Sequence, residues 1–408
     1  MSKHRISRRR FLGTTAKAAA AFAIVPRHVL GGRDQAAPSD TVRYAVIGNG
    51  QRADAGIGCL GPRKRIAVCD VDVKHLGGDP DNRTRYTDFR KLLERKDLDV
   101  VCVATPPHWH ALPCIAAAQA GKDIFCEKPM TKFIAEGRAV ANACRRYGVV
   151  FQIGTFQRFN NSKKKDHIEN HKIIKYGLMK DLSGTVAFAG ATNRIGRTDL
   201  RSEDIPDSLD YGVWLGPAPY KPYNTARVHY NNRFYWDYEG GDLANFGAHS
   251  VDPFQWTYAK DDTGPAGIEP CAPWPQHPDA VGPYSWVECT YADGLKLVIT
   301  GGSAGKKYDR PVKRRMTSPK DLDEEGRRRL TELPDPLPLV TFGEAVRTRQ
   351  EAGGGAESSH RATTVLHLAN IAIRLGRAIR WDPAAERIVG DEEANRFVNI
   401  PMRAPWHL

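Results

Sequence analysis

The chain has 408 residues, of which 41% are hydrophobic, and this length suits two domains with cores of ordinary size. Most of its formal net charge of +13 comes from residues 1–37, which hold eight of the 60 basic residues and one of the 47 acidic ones and leave +6 for the rest. That remainder is only mildly basic and carries no nucleic-acid-binding motif, so no nucleic-acid partner is expected.

Residues 1–37 have the features of a twin-arginine signal peptide. Arg8-Arg9-Arg10 precede Phe11-Leu12, and an apolar run from Gly13 to Val25 follows. That run has the length of a signal-peptide apolar region and is too short to cross a bilayer. The segment predicts export through the twin-arginine pathway to the periplasm or beyond, with no stable membrane insertion after the signal is removed. A basic arm beside an unrelated apolar patch is the alternative.

Strands alternate with helices from residue 41 to residue 155. Short apolar runs rich in β-branched residues predict the strands, and Ala-rich or amphipathic stretches between them predict the helices. This alternation is typical of an α/β fold with a doubly wound parallel sheet, so residues 41–155 are predicted to form a Rossmann dinucleotide-binding domain. The predicted strands cover residues 42–47, 65–71, 98–105, 123–126 and 149–153, and the predicted helices follow residue 53 and cover residues 89–95, 111–120 and 131–147.

The pattern changes in residues 156–408. Aromatic residues and prolines become dense, and residues 286–300 form two apolar runs around Ala292-Asp293-Gly294, which is a hairpin turn signal. Helical spacing of apolar residues returns over residues 360–377. We therefore expect a C-terminal, substrate-binding α+β domain with an open, mainly antiparallel sheet.

The cysteines and histidines give no sign of a metal centre. Eight cysteines occur without a Cys-x-x-Cys pair or regular spacing, which excludes a disulfide framework and leaves open at most one disulfide. Cys69, Cys102 and Cys126 lie in or beside apolar runs and are expected to be buried free thiols. His167 and His171 are four residues apart, but they match no zinc motif and lie in a very polar stretch, so no metal is expected.

Gly48-x-Gly50-x-x-Ala53, directly after the first strand, is a dinucleotide-binding turn in its Gly/Ala form. Gly48 permits the tight turn, Gly50 lets the backbone approach the pyrophosphate, and Ala53 keeps the following helix close to the strand. The N-terminus of that helix is then expected to donate N–H groups to the phosphates.

Asp70 lies 20 residues beyond Gly50 at the end of the second predicted strand, where an acidic residue binds the ribose 2′-hydroxyl. A carboxylate there repels a 2′-phosphate, and Val71 and Asp72 offer no cation to receive one. The sequence therefore favours NAD over NADP. The structural alternative is an acid that only caps a turn at a strand end.

Six motifs follow one another along the chain after the signal. They are GNGQRA (48–53), VCDVD (68–72), ATPPHWH (104–110), CEKP (126–129), GGDLANFGAHSVD (240–252) and RAIRWDPAAERIVGDEEAN (377–395). Together they resemble the glucose-fructose oxidoreductase, inositol dehydrogenase and MocA (Gfo/Idh/MocA) family over essentially everything after the signal. The last motif, with WLGP (214–217), resembles a bacterial exported subgroup. The resemblance implies an NAD(P)-dependent sugar or polyol oxidoreductase.

The resemblance also implies roles for single residues. Lys128 would lie beside the nicotinamide and the reacting hydroxyl, where an ammonium group stabilises developing alkoxide charge. Glu127 would bind the nicotinamide ribose, and Pro129 would follow a cis peptide bond. Further cofactor contacts are implied at Asn49, Gln51, Arg52, Thr105, Pro106 and His108.

His249 is the general base that the resemblance implies, and the ordinary pKa of histidine, about 6.5, suits this task. Many similar proteins carry an aspartate four residues before this histidine, coupled to the lysine. This chain has Asn245 there, which orients neighbours by hydrogen bonds but holds no charge. Asn245 and Asp252 are therefore kept as possible substrate or orienting contacts, and Trp236 is the predicted sugar contact.

These features predict an enzyme that transfers hydride between a nicotinamide cofactor and a secondary hydroxyl of a sugar, polyol or glycoside. Because an exported enzyme meets no free NAD pool, the cofactor is expected to be tightly held. Two alternatives stay open: a glycoside-cleaving enzyme that works by transient oxidation and elimination, and a non-catalytic sugar- or nucleotide-binding protein. By analogy with the family, a homodimer or homotetramer is expected.

Overall fold

The structure is a computed structural model that describes residues 40–77, 84–302 and 308–408. The predicted signal peptide lies outside the described residues. Within them, no helix combines the length and the apolar character that a membrane crossing requires.

Six parallel strands form the first sheet. They are β1 (Val42–Ile47), β2 (Arg63–Cys69), β3 (Thr84–Tyr86), β4 (Val100–Val103), β5 (Asp123–Cys126) and β6 (Phe151–Ile153). Their order is β3-β2-β1-β4-β5-β6, so the chain changes direction between β1 and β4. Ligands bind in such sheets at the carboxyl ends of the strands beside this switch point.

The predicted doubly wound parallel sheet is confirmed. β1 and β5 have the predicted bounds, and the residues of β4 are completely buried, as expected for a strand covered on both faces. β2 begins and ends two residues before its predicted bounds. β3 was not predicted, because its three residues are polar or aromatic and two of them are exposed at the sheet edge.

Among the described residues, three α-helices connect these strands. They are α1 (Phe89–Leu93), α2 (Pro107–Gln119) and α3 (Ile134–Tyr147). α2 begins four residues before its predicted start, because Pro107 suits a first helical turn, where its fixed φ helps and its missing N–H is not needed. α3 ends at Gly148, whose φ of 63° is the left-handed conformation that glycine adopts readily.

The α-helix predicted after Ala53 is not formed. Residues 51–56 make successive turns, such as the one closed by the bond from Ala53 N to Gly50 O (3.2 Å), and a short 3-10 helix, Ile57–Leu60, follows. Gly56 has a φ of 83°, and a Cβ at this position would collide with the Phe125 ring. The chain therefore needs glycine here, in a conformation that no α-helix contains.

Six strands form the second sheet, in the second half of the chain. They are β7 (Val186–Ala191), β8 (Gly267–Cys271), β9 (Trp286–Thr290), β10 (Lys296–Gly301), β11 (Ile379–Asp382) and β12 (Arg387–Ile388). Their order is β12-β11-β8-β9-β10-β7, and only the β10–β7 pair is parallel among these strands. The predicted hairpin around residue 293 is confirmed, because β9 and β10 pair in antiparallel fashion on either side of it.

Nine α-helices belong to the described residues of the second half. They are α4 (Gln157–Asn161), α5 (Lys165–Lys175), α6 (Tyr211–Leu215), α7 (Gly241–Asn245), α8 (Ala248–Thr257), α9 (Glu324–Glu332), α10 (Phe342–Thr348), α11 (Ala356–Leu375) and α12 (Glu392–Asn395). Short 3-10 helices lie at Val73–Leu76, His229–Phe234 and Pro319–Asp321. α11 begins four residues before its predicted start and packs on α3, α8 and β8, so it joins the two halves.

A segment of the second half covers the face of the first sheet where the predicted helix is missing. Phe342 and Ala345 of α10 pack with Ile57 and Leu60 against that face. The approach is so close that a Cβ on Gly343 would collide with the backbone of Cys59. The core of the first sheet is therefore completed by residues about 290 positions away in the chain.

All eight cysteines lie within the described residues, and all are free thiols. Cys69, Cys102 and Cys126 are buried among apolar side chains, which confirms their prediction.

Candidate active site

A cleft of about 1020 Å³ opens at the carboxyl ends of β1, β2, β4 and β5. The loops after these strands form one side of it, and residues 207–249 contribute the other. Most small-molecule sites enclose about 300–1,000 Å³, so this cleft has room for a dinucleotide together with a small substrate. The predicted residues that line it are Gly48, Gly50, Gln51, Arg52, Asp70, Thr105, Pro106, Glu127, Lys128, Asn245 and His249.

The turn after β1 brings bare backbone to the cleft. Gly48 has a φ of 88°, and a Cβ there would come within 2.5 Å of the backbone nitrogen of Thr105. A Cβ on Gly50 would meet nothing within 4 Å, so this backbone borders open space. These features fit the close approach of a pyrophosphate. Because no α-helix follows, the positive charge beside the turn comes from the Arg52 side chain and not from a helix dipole.

Asp70 follows β2 and is fixed by backbone hydrogen bonds. Its carboxylate accepts the N–H of Asn49 at 2.7 Å and the N–H of Asp72 at 2.9 Å, and Nδ1 of His75 lies 3.4 Å away. Asn49 therefore holds the glycine turn to Asp70 and is not itself part of the cleft lining. Asp70 stands where a dinucleotide ribose needs an acceptor for its hydroxyl groups.

Glu127, Lys128 and Pro129 follow β5, and the Lys128–Pro129 peptide bond is cis, as the resemblance implied. Glu127 is buried, and its Oε1 lies 3.2 Å from the Arg52 guanidinium. Lys128 Nζ donates a hydrogen bond to the backbone oxygen of Asn245 at 3.2 Å, which joins the two sides of the cleft. Burial lowers the pKa of Lys128, and the charges of Glu239 and Glu127 counteract this shift.

Glu239 is a cleft residue that the sequence reasoning missed. Its side chain is buried, and its Oε1 accepts a hydrogen bond from Asn245 Nδ2 at 2.6 Å. Among the charges around Lys128, that of Glu239 does most to raise the lysine pKa. A carboxylate is thus present beside the lysine although position 245 holds an amide.

His249 is the second residue of α8, and its side chain lines the same cleft as Lys128. Burial lowers the pKa of His249 to about 4, and the positive charges of Lys128 and Arg52 act in the same direction, against a smaller opposite effect of Asp252. At neutral pH the imidazole is therefore uncharged, as a proton acceptor must be.

Besides Asn49, three predicted site residues lie outside the cleft lining. His108 is buried with its Nε2 3.0 Å from the backbone oxygen of Trp214, and burial lowers the pKa of its ring to about 3. The Trp236 side chain is 2% exposed and donates from Nε1 to the backbone oxygen of His277. Asp252 is also 2% exposed. These three side chains are thus buried beside the cleft and do not line it, and their cofactor or substrate contacts stay predictions.

Asp252 belongs to a buried ion pair. Its Oδ1 accepts from the Arg158 guanidinium at 2.6 Å and its Oδ2 accepts from the Thr155 hydroxyl at 2.7 Å. Arg158 also bonds to Asp261, whose side chain is 35% exposed. Because Arg158 lies in α4 and Asp252 in α8, this pair anchors the helix that carries His249 to the end of the first sheet.

Residues 207–233, which we call the cover segment, form much of the cleft wall opposite the first sheet. Val73 N donates to the backbone oxygen of Ser208 at 2.9 Å, and Asp72 forms a β-bridge with Leu209. Trp406 adds to the wall and packs edge-on against Trp109 at 4.8 Å between ring centroids. In the sequence, this part of the chain stands out by the density of aromatic residues from 211 to 238. Most of its buried rings, however, pack on one another.

His167 and His171 serve helix packing. His167 Nδ1 bonds to the Thr257 hydroxyl at 3.0 Å, and His171 Nδ1 bonds to the backbone oxygen of Trp256 at 2.6 Å. Asp72, His75 and His229 instead bring three possible metal ligands within 4.8 Å of one another, a convergence that the sequence spacing does not reveal.

Comparison with family models identifies the class of the protein. Residues 42–155 match the model described as the oxidoreductase family, NAD-binding Rossmann fold, and residues 160–408 match the oxidoreductase family, C-terminal alpha/beta domain. The chain therefore belongs to the Gfo/Idh/MocA family of oxidoreductases.

Curated relatives are similar over part of the chain. A 2,7-anhydro-N-acetylneuraminate hydratase of Mediterraneibacter gnavus is 31% identical over 29% of this chain and 33% of its own length. Levoglucosan dehydrogenase of Pseudarthrobacter phenanthrenivorans is 40% identical over 16% and 17%, and scyllo-inositol 2-dehydrogenase (NAD(+)) of Bacillus subtilis is 37% identical over 17% and 20%. The chain thus matches a third or less of the length of these relatives.

Solved structures share the two-domain fold. The WlbA dehydrogenase of Bordetella pertussis, in complex with NADH and UDP-GlcNAcA, has a TM-score of 0.54 at 16% identity and covers 84% of this chain and 99% of its own. Levoglucosan dehydrogenase, in complex with NADH and levoglucosan, has a TM-score of 0.51 at 15% identity, with 83% and 99% covered. At such identities the likeness shows the fold alone.

Proposed function

We propose that the protein is an NAD(P)-dependent oxidoreductase, with NAD favoured, that acts on a secondary hydroxyl of a sugar, polyol or glycoside. The observation that carries this proposal is that Lys128, His249 and Asp70 line a single cleft beside the Gly48 turn. A neutral imidazole, an ammonium group and a ribose-binding carboxylate together suit alcohol oxidation with a dinucleotide, as base, oxygen-stabilising group and cofactor contact.

His249 accepts the hydroxyl proton in this proposal. Its pKa of about 4 keeps the ring unprotonated at neutral pH, so no deprotonation step precedes catalysis. Lys128 stabilises the negative charge that develops on the substrate oxygen. Both side chains line the same cleft, and the positive charge of Lys128 contributes to the lowered pKa of His249.

Glu239 and Asn245 position the lysine. Burial favours the neutral amine, whereas an ammonium group is needed, and the Glu239 carboxylate counteracts that effect of burial. Asn245 binds Lys128 through its backbone oxygen and Glu239 through its side-chain amide, so it holds the two groups in one arrangement. We assign to Glu239 the charge that similar proteins carry on an aspartate at position 245.

The residues of the glycine turn fit a dinucleotide. Gly48 and Gly50 leave room for the pyrophosphate, Arg52 adds positive charge, and Asp70 accepts from the ribose. A bound nicotinamide supplies the hydride acceptor. The Asp70 carboxylate disfavours a 2′-phosphate, which supports NAD over NADP.

The cover segment and Trp406 support tight retention of the cofactor. Both lie on the cleft wall, and the cover segment is bonded to the loop after β2 through Ser208 and Leu209. A nucleotide between these parts would leave only when they separate. Retention suits an enzyme that reoxidises its cofactor with a second substrate.

Mass spectrometry of gently denatured, purified protein tests the cofactor. We expect a nicotinamide nucleotide in the wild type and in His249→Ala, and its loss in Asp70→Ala. Aldoses, polyols and glycosides are then screened by absorbance of the reduced nicotinamide. His249→Ala should lower turnover by about 10²–10⁴, the usual contribution of a general base, while His407→Ala, a change at an exposed histidine, should not. Absence of nucleotide together with no binding of added NAD would refute the proposal.

Redox-assisted glycoside cleavage is the second candidate, and two relatives favour it, because both are named as hydratases and not as dehydrogenases. In such a reaction a ring hydroxyl would be oxidised with its hydride passing to the nicotinamide, the aglycone would be eliminated, water would add to the double bond formed, and the hydride would return to the carbonyl carbon. Release of an aglycone from an aryl glycoside without net NADH would identify it. A non-catalytic binding protein is favoured only if His249→Ala leaves every detected turnover unchanged.

We also propose that residues 1–37 direct export by the twin-arginine pathway, as in an exported subgroup of the family. A reporter fused to this segment should leave the cytoplasm, and replacing Arg8, Arg9 and Arg10 by lysine should prevent it.

We propose a dimer or tetramer, which light scattering would detect as a multiple of the 45.3 kDa chain less its signal.

A further inference from the structure

We propose that Asp72, His75 and His229 bind one divalent transition-metal ion, with Zn²⁺ as the probe, and that this ion fastens the cover segment to the Rossmann sheet. The three side chains offer one carboxylate oxygen and two imidazole nitrogens, all within 4.8 Å of one another. Metal binding by itself does not depend on the proposed redox function. The fastening role rests on that function.

The distances between the three ligand atoms are close to those found around a bound ion. Asp72 Oδ2 lies 3.4 Å from His229 Nε2, and the rings of His75 and His229 meet edge-on with centroids 4.8 Å apart. Zinc–ligand bonds of about 2.0–2.2 Å in a tetrahedral site place ligand atoms about 3.3–3.5 Å apart. The Asp72–His229 pair already has this spacing, and the ligand atom of His75 lies within 4.8 Å of both, so a small movement of His75 completes the set.

The donor set selects the class of metal. Two imidazoles and one carboxylate suit Zn²⁺ and its first-row neighbours, whereas Ca²⁺ and Mg²⁺ prefer oxygen ligands alone. Three protein ligands leave a fourth position for water. Among the described residues, no other group of three or more such side chains converges in this way.

The neighbouring residues hold the ligands in place. Asp72 Oδ1 accepts the N–H of Lys74 at 3.1 Å, while the Oδ2 atom faces His229. His75 Nδ1 lies 3.4 Å from the carboxylate of Asp70. A metal-bound histidine commonly donates its second ring N–H to such a carboxylate, which fixes the tautomer and the orientation of the ring. Asp70 therefore joins the proposed metal site to the ribose position.

The site lies where the two halves of the chain meet. Asp72 and His75 belong to the loop after β2, and His229 begins a 3-10 helix of the cover segment. Side chains of His75 and His229 are 34% and 38% exposed, so an ion can reach them from solvent. An ion bound to both loops would resist separation of the cleft walls and slow the release of nucleotide.

Zinc binding is measured on tag-free, chelator-treated protein by titration calorimetry and by metal analysis after dialysis, without nucleotide. We expect one zinc per chain in the wild type and in His407→Ala, and at least tenfold weaker binding in His75→Ala and His229→Asn. Asparagine is chosen because residue 229 has a φ of 50°, which asparagine tolerates. Unchanged circular dichroism shows that each variant folds. Wild type without stoichiometric zinc, or variants that bind it equally well, would overturn the site.

A second measurement tests the fastening role. Release of bound nucleotide should slow at least fivefold when zinc is added to the wild type and should not respond in His229→Asn. If zinc binds but leaves the release rate unchanged, the fastening role is wrong although the site exists. A protein that binds zinc but no nucleotide would refute the redox proposal and leave the metal site intact.

Discussion

Replacing Asp252 by asparagine tests the buried ion pair that anchors α8. Asparagine keeps the shape and one acceptor oxygen but removes the charge that faces Arg158 at 2.6 Å. Removal of one partner of a buried pair costs about 3–5 kcal/mol. Because Asp261 still binds the guanidinium at 3.1 Å, we expect the lower end, about 3 kcal/mol.

Urea unfolding followed by tryptophan fluorescence measures this loss. Asp261→Asn is the matched control, and we expect it to cost about 1 kcal/mol or less, because that carboxylate is 35% exposed and solvent screens it. The double variant Arg158→Met/Asp252→Leu should recover part of the loss, since the charge it leaves without Arg158 is that of Asp261, which is 35% exposed to solvent. Equal costs for Asp252→Asn and Asp261→Asn would refute the reasoning.

Three further predictions concern the cleft. Glu239→Gln should lower the pKa of Lys128, because an opposing charge is lost. NMR titration of ¹³C-methylated lysines, assigned with Lys128→Arg, measures this pKa, and an unchanged pKa contradicts the pairing. The kcat/KM for oxidation should be constant from pH 8 to about pH 5 and should fall as His249 becomes protonated near its pKa of about 4. A fall in kcat/KM with its midpoint near pH 6.5, the ordinary value for histidine, would argue against a buried base. Gly48→Ala should cost about 1–3 kcal/mol of stability, because residue 48 has a φ of 88°. It should also weaken NAD binding, as measured by calorimetry. An unchanged NAD affinity would contradict the close approach of the pyrophosphate to the Gly48 turn.

Continuous apolar runs were enough to predict five of the six described strands of the first sheet. The buried runs at residues 42–47 and 123–126 have the predicted bounds because completely buried parallel strands form continuous apolar segments. β3 escaped prediction because an exposed edge strand needs no apolar pattern. Gly56 and Gly58 weaken any helix that follows Ala53. The helix was predicted there because one normally follows the dinucleotide-binding motif.

The site was predictable where local sequence carries the chemistry. Lys128, His249, Asp70 and the glycine turn do line one cleft. Glu239 was not predicted, because its relation to Lys128 depends on how α7 packs.

Two kinds of information were absent from the sequence. Trp236 and Asp252 were predicted to face substrate, but an aromatic ring or a carboxylate near a motif serves packing equally well. The convergence of His229 with Asp72 and His75 joins residues more than 150 positions apart. Only tertiary structure brings such residues together.

The position of Trp406 has a consequence for timing. The strands that hold the glycine turn, Asp70 and Lys128 are complete by residue 153, whereas the ring that adds to the cleft wall is synthesised about 250 residues later. At about 5–20 residues per second, the ribosome needs about 12–50 seconds for that interval. Under the proposed function, a nucleotide bound by the nascent first half would therefore lack the Trp406 part of the wall until the chain is complete.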